Sequence, residues 1–370
     1  MASAEKKQKN IKISIIASIL LSVIFIFVVL YFTVNDFSKF GEQIKLIDFR
    51  YEFFILAALL NFLSWCIWGL RLKILANAAD ESVNISWWSS TKIVMANLFL
   101  AGITPSMAGG EPVRIHLLNK EGASIGCSTA SVLGERLIDA IIILISVPLA
   151  FFIFKNRLEE IAIKQNIDIS ILTIALSIGI IVFLIAIFLF LYAIKFPDKT
   201  KGLVLWINKK LNRFSKKKEK KSKVIERINL EVDNFHSSMM VFLKGKKSTF
   251  LSAGILTVFM WLSMWLIPSM ILMGLGLNPF FVESIAAQVF LIIIIMMPTT
   301  PGAAGVTEGS VGVLYSIVIG SGAVLGIFVI IFRFITYYMN LIFGAVFMQK
   351  IFKSVANFSM DRISNKNECK

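Results

Sequence analysis

Ile13 to Val34 runs without a single charged residue. A bilayer core takes about 20 apolar residues per helix, and a soluble core rarely asks for so long an uninterrupted run. Ile169 to Ile194 and Phe250 to Met273 repeat the pattern, and Ala323 to Met348 does so with Arg333 inside it. Phe53 to Leu70 is shorter but uncharged, and Thr129 to Phe154 is long enough although it carries Glu135, Arg136 and Asp139. With 57% hydrophobic and 16% charged residues, composition agrees: the fold class is an all-α, polytopic membrane protein.

Charge sets the orientation. Lys+Arg 38 against Asp+Glu 23 gives +15, and residues 195–247 alone hold 16 Lys/Arg against 5 Asp/Glu. Excess Lys and Arg marks cytoplasmic loops. The run Lys216-Lys217-Lys218-Glu219-Lys220-Lys221 has no aromatic interleaving, so a solvated loop is favoured over a nucleic-acid patch. The basic start, Lys6 to Lys12, leads into a full-length span without a small-residue cleavage site, so it reads as a cytoplasmic tail and not a signal peptide. Both termini and the 195–247 loop are expected inside, in a multi-pass protein of the cell membrane. Cys66, Cys127 and Cys369 have neither metal nor redox spacing, and His116 and His236 stand alone; no metal and no cofactor is expected.

Two segments break the pattern of full spans. Ile93 to Ile103 is too short to cross and stops at Thr104-Pro105-Ser106-Met107-Ala108-Gly109-Gly110-Glu111-Pro112; Val113 to Leu118 follows, carrying Arg114. Phe280 to Met297, nearly long enough to cross, stops at Pro298-Thr299-Thr300-Pro301-Gly302-Ala303-Ala304-Gly305-Val306-Thr307-Glu308. The expectation is six full spans plus two re-entrant broken-helix elements.

These elements share a pattern: Thr-Pro-x-x-Ala-Gly and then Glu, at Thr104 to Glu111 and at Thr300 to Glu308. From Glu111 to Arg136, and again from Glu308 to Arg333, is 25 residues. The charge argument opens the first element to the cytoplasm and the second to the outside. That is the layout of an inverted-topology repeat, residues 11–154 and 169–348 within one membrane domain, 1–370. In such transporters Gly/Pro-interrupted segments mark the substrate site, and irregular backbone at membrane depth must face protein or water. The two breaks are therefore expected to face each other or a shared cavity.

Arg136 and Arg333 are the leading site candidates. An intramembrane arginine is costly unless partnered, and its planar fork suits phosphate. Pro112 fits a first helical position and Thr307 an N-cap, so two helix starts join the arginines in a cradle for an anion. Glu111 and Glu308 are candidates to exchange with the anion or take up a proton. Asp139 lies three residues from Arg136 on one helix, and Tyr337 one turn from Arg333. Pro105, Gly109, Gly110, Pro301, Gly302 and Gly305 are the expected hinge positions. The competing reading is plain internal pairing, with Glu111, Glu308, Glu135 and Asp139 neutralising Arg136 and Arg333.

At these residues the chain resembles a known family. Gly134-Glu135-Arg136-Leu137-Ile138-Asp139 is similar to the Glu-Arg-x-x-Asp signature of the lysylphosphatidylglycerol synthase transmembrane-region family. Pro301-Gly302-x-x-Gly305-x-x-Glu308, followed by Arg333, resembles its second signature, with Ala303 where Pro-Gly-Gly is usual. The resemblance implies a flippase for a phosphate-bearing lipid, aminoacylated or glycosylated. The chain ends at Lys370, shortly after the last span, so the aminoacyltransferase part is not implied and no enzyme activity is expected. The partners implied are an anionic phospholipid or polyprenyl-phosphate lipid and the membrane, with a homodimer allowed and no nucleic acid. The alternatives are a secondary transporter of a small anion and a non-transporting scaffold or regulatory subunit. No His-Glu-x-x-His, Gly-x-Ser-x-Gly or paired-Asp motif supplies a nucleophile or a metal.

Overall fold

The computed structural model describes residues 47–79, 83–104, 110–165, 247–295, 302–320 and 323–348, with isolated positions elsewhere. The expected first and fourth spans and the basic loop lie outside the described residues, as do Pro105, Gly109 and Pro301. All regular structure among the described residues is helical. In chain order it comprises α1 (Tyr51–Ala79), α2 (Trp87–Ile103), α3 (Gly110–Lys120), α4 (Ile125–Gln165), α5 (Lys247–Gly274), α6 (Phe281–Ile295), α7 (Val306–Ile319) and α8 (Ala323–Met348).

Length divides these helices into two kinds. At a rise of about 1.5 Å per residue, α1, α4, α5 and α8 are long enough for a hydrocarbon core of about 30 Å. These four are also apolar enough to cross it. The 15 residues of α6 and the 14 of α7 reach only about 20 Å. The described part of the ambiguous Phe280–Met297 segment is α6, and α7 follows the turn at residues 302–305. α2 and α3 are likewise short, with 17 and 11 residues.

The long helices present apolar side chains outward. Ile141, Ile145, Leu149 and Phe152 form one exposed stripe on α4, and Leu251, Ile255, Phe259 and Leu262 another on α5. Water would penalise such surfaces, whereas lipid tails solvate them.

The helices contribute to two compact units that are not successive stretches of sequence. One draws on α1 up to Gly69, α2 from Trp88, α3 up to Arg114, and everything described from Met260 onward. The other draws on α1 from Leu70, the rest of α3, all of α4, and α5 up to Phe259.

In the first unit α8 is the hub. Its N-terminal half packs on α7 through Phe328 against Tyr315, ring centroids 4.4 Å apart. Its C-terminal half packs on α1 through Phe343 against Trp65, and on α2 through Gly344. A Cβ on Gly344 would lie 2.7 Å from the Met95 carbonyl oxygen, so only glycine allows the two backbones so close. Between the halves, Phe334–Tyr338 winds as a π-turn. The second unit packs Leu75 of α1, Ala130 and Ile138 of α4, and Ala253 of α5 into one apolar cluster.

Candidate functional site

The break before α7 shows how local sequence places a carboxylate. Gly302 (φ 61), Ala303 (φ 51) and Gly305 (φ 86) all take left-handed backbone, which turns the chain sharply into the helix. Glycine reaches that region freely; Ala303, standing where the family signature has glycine, does so against the steric preference of its Cβ. The N-cap is Gly305 and not Thr307. The left-handed position that opens the helix suits glycine and not a β-branched residue, so Thr307 falls inside the first turn and its hydroxyl donates to Ala303 O at 3.0 Å. Glycine has no side chain to cap with. Glu308 compensates from the third helical position, accepting the Gly305 N–H at Oε2, 2.7 Å.

That bond leaves Oε1 of Glu308 for Arg333, whose Nε donates to it at 2.9 Å. Both side chains are buried, Arg333 at 3% exposure and Glu308 at 0%. The guanidinium carbon lies 4.2 Å from the centroid of the Tyr337 ring, a cation–π stack one turn along α8. Nη2 of Arg333 is buried without a hydrogen-bond partner. Glu308 divides its two oxygens between Gly305 and Arg333, so the guanidinium keeps a donor in reserve.

Tyr337 also ties the two breaks together. Its hydroxyl donates to Gly102 O at 3.1 Å, and Gly302 N donates to Thr104 O at 3.4 Å. A Cβ on Gly302 would stand 2.5 Å from Gly102 O and 2.7 Å from the Tyr337 ring. The end of α2 and the turn before α7 therefore meet, with Arg333 and Tyr337 beside them.

The second unit holds a different arrangement. Glu135 and Asp139 are one turn apart and share a face of α4. Arg71 of α1 lies between them: Nε donates to Glu135 Oε1 at 3.1 Å, and Nη1 to Asp139 Oδ1 at 2.6 Å. Nη1 also reaches Thr257 Oγ1 of α5 at 2.9 Å, and Nη2 reaches Asp139 Oδ2 at 3.4 Å. Arg71 and Glu135 are fully buried and Asp139 nearly so. A bidentate fork with every nitrogen engaged is how a charged group survives burial. Arg136, one residue from Glu135, points elsewhere. Its side chain is 38% exposed and meets one edge of Asp139, at 3.4 Å.

Of the sequence candidates, the fold brings together Glu308, Arg333, Tyr337 and Gly302, with Gly305 capping the helix beside them. Arg136 and Asp139 meet on α4. Glu111 is half-buried in the first turn of α3 together with Pro112, and Gly110 starts that helix against Asn97. Glu111 and Arg136 belong to different compact units. Sequence reasoning missed Arg71, which directly follows the uncharged run Phe53 to Leu70. The signal was present: Leu72, Ile74, Leu75 and Ala76 continue the apolar pattern beyond it, and α1 runs on to Ala79.

Long apolar helices, shorter apolar helices among them and buried charge clusters define a multi-pass helical membrane protein. Its particular kin are equally plain: residues 15–344 match the model of the lysylphosphatidylglycerol synthase TM region, and the chain belongs to that family. It is 35% identical to a UPF0104 membrane protein of Archaeoglobus fulgidus, over 79% of this chain and 84% of the relative. Two UPF0104 membrane proteins of Methanothermobacter thermautotrophicus are 26% and 25% identical, each over 84% of this chain and over 88% and 84% of their own lengths. No solved structure matches.

Proposed function

We propose that this protein is a flippase that moves a phosphate-bearing lipid, aminoacylated or glycosylated, across the cell membrane, and that it carries out translocation without aminoacyl transfer. The observation that carries the reading is the buried, unpartnered Nη2 of Arg333 beside two broken helices. A purely structural ion pair gains most by engaging every donor, as Arg71 does, because an unmade hydrogen bond at depth is expensive. A guanidinium paired through Nε and stacked on Tyr337 suits a site that accepts a phosphate oxygen as a second partner. Family membership supports a lipid-related role in the membrane.

A head group binds by adding its oxygen to Nη2, or by displacing Glu308 from Nε. Glu308 then retains the Gly305 N–H as a partner, so its departure from Arg333 does not strand it. The Gly302 turn and its meeting with Gly102 and Thr104 form the segment that must loosen for a head group to pass. The saturated Arg71 cluster favours a bracing role for the second unit.

Native mass spectrometry of the detergent-solubilised protein tests the binding half. Phosphatidylglycerol, lysylphosphatidylglycerol and a polyprenyl-phosphate sugar are compared with an uncharged diacylglycerol. Retention of one phosphate-bearing lipid, weakened at least tenfold by Arg333→Gln, is the expected result. Equal retention by both forms removes Arg333 from the site.

A further inference from the structure

The π-turn of α8 lies directly after Arg333 and contains Tyr337. A π-turn houses one residue more than an α-turn, so one carbonyl in the stretch loses its backbone donor. Here Met339 N reaches back to Phe334 O, the i→i+5 bond that defines the turn. The next two carbonyls take side-chain amides. Nδ2 of Asn61, on α1, donates to Ile335 O at 2.7 Å, and Nδ2 of Asn340 donates to Thr336 O at 2.6 Å. Nδ2 of Asn61 also contacts Asn340 Oδ1 at 3.3 Å, joining the two amides. Asn61 is buried on the apolar helix α1, where an amide is costly unless it is used.

The extra residue matters because α8 serves two sets of partners. Before the turn, Arg333 must face Glu308 and Phe328 must face Tyr315. After it, Leu341 faces Gly102, Phe343 faces Trp65 and Gly344 faces Met95. Each residue of an α-helix advances the face by about 100°, so rewinding the same residues as plain α-helix would turn one half against the other by that amount. Both sets of contacts hold only while the π-turn holds.

We propose that Asn61 is a positioning residue for the Arg333 site: its amide stabilises the π-turn, and the π-turn sets Arg333 on Glu308 while Tyr337 remains on Gly102. The structural half of this proposal is independent of what the site carries; only its consequence for lipid movement rests on the flippase reading.

The test is a stability cycle in detergent on the full chain. Asn61→Leu keeps the volume and removes the donor. Deleting Phe334, an exposed residue of the π-turn, removes the extra residue and with it the need for a donor. Asn61→Leu is expected to lower the unfolding midpoint by several degrees in the intact chain, and by less than a third of that shift in the deletion background. Equal shifts in both backgrounds would make Asn61 an ordinary packing residue and overturn the proposal. If the deletion variant does not fold, the structure of Asn61→Leu decides: α-helical winding through 334–338 with Arg333 parted from Glu308 supports it, and an intact π-turn overturns it. In a translocation assay, Asn61→Leu is expected to slow lipid movement at least fivefold in the intact chain and to add nothing to Arg333→Ala. If neither variant alters movement while the stability cycle behaves as stated, the flippase reading fails and the positioning role stands.

Discussion

At the residue scale, two buried arginines are treated in opposite ways, and the difference predicts different responses to substitution. Arg71 is saturated by Glu135, Asp139 and Thr257. Arg71→Met strands two carboxylates and is expected to cost about 3–5 kcal/mol. Arg71→Lys is expected to recover little, because a single ammonium cannot reach three acceptors in fork geometry. Thermal unfolding in detergent checks both. Glu308→Gln leaves the Arg333 charge buried without its counter-ion and is expected to cost a similar amount, with the Gly305 cap preserved through the amide oxygen. Arg136→Ala is expected to cost no more than about 1 kcal/mol, since its contact with Asp139 is long and the side chain is 38% exposed. The pairing of Glu308 with Arg333 was legible as the competing reading, because both carry charge beside or within apolar runs and the 25-residue spacing drew attention to them. Arg71 was not, because an arginine some twenty residues into a helix reads equally as the cation that ends a span, and only the partner face of α4 distinguishes the two.

At the scale of elements, close approach governs where α8 can lie. Gly344→Leu would drive a side chain into the Met95 carbonyl and the Phe99 backbone, and is expected to destabilise by about 1–3 kcal/mol. A Cβ added to Gly254, within α5, would meet nothing within 4 Å. Gly254→Ala is expected to be neutral or stabilising by up to about 1 kcal/mol, from helix propensity alone. Parallel melting curves separate the two outcomes. The short helices α2, α3, α6 and α7 flank the two Gly/Pro-rich segments that the sequence marks. The cap of α7 was misread because Thr307 is a good N-cap by type, while the chain turns on left-handed Gly305 and takes its cap bond from Glu308. The π-turn left no signature in the sequence. It arises from Asn61, far away in the chain, and from the two sets of neighbours α8 must satisfy.

At the scale of the whole molecule, the membrane class followed from run length alone, and the family from motifs in the correct order. The described helices add what order cannot: the end of α2 and the turn before α7 come together at Gly102, Thr104 and Gly302, and beside them Nη2 of Arg333 is buried without a hydrogen-bond partner. The proposed function rests most heavily on Arg333. The direct test reconstitutes the wild-type protein and Arg333→Ala into proteoliposomes containing fluorescent phosphatidylglycerol, lysylphosphatidylglycerol or a polyprenyl-phosphate sugar, with folding verified by monodisperse size-exclusion profiles. The account predicts inter-leaflet movement of one phosphate-bearing lipid class by the wild type and its loss in Arg333→Ala. Movement that continues undiminished in the folded variant would contradict it.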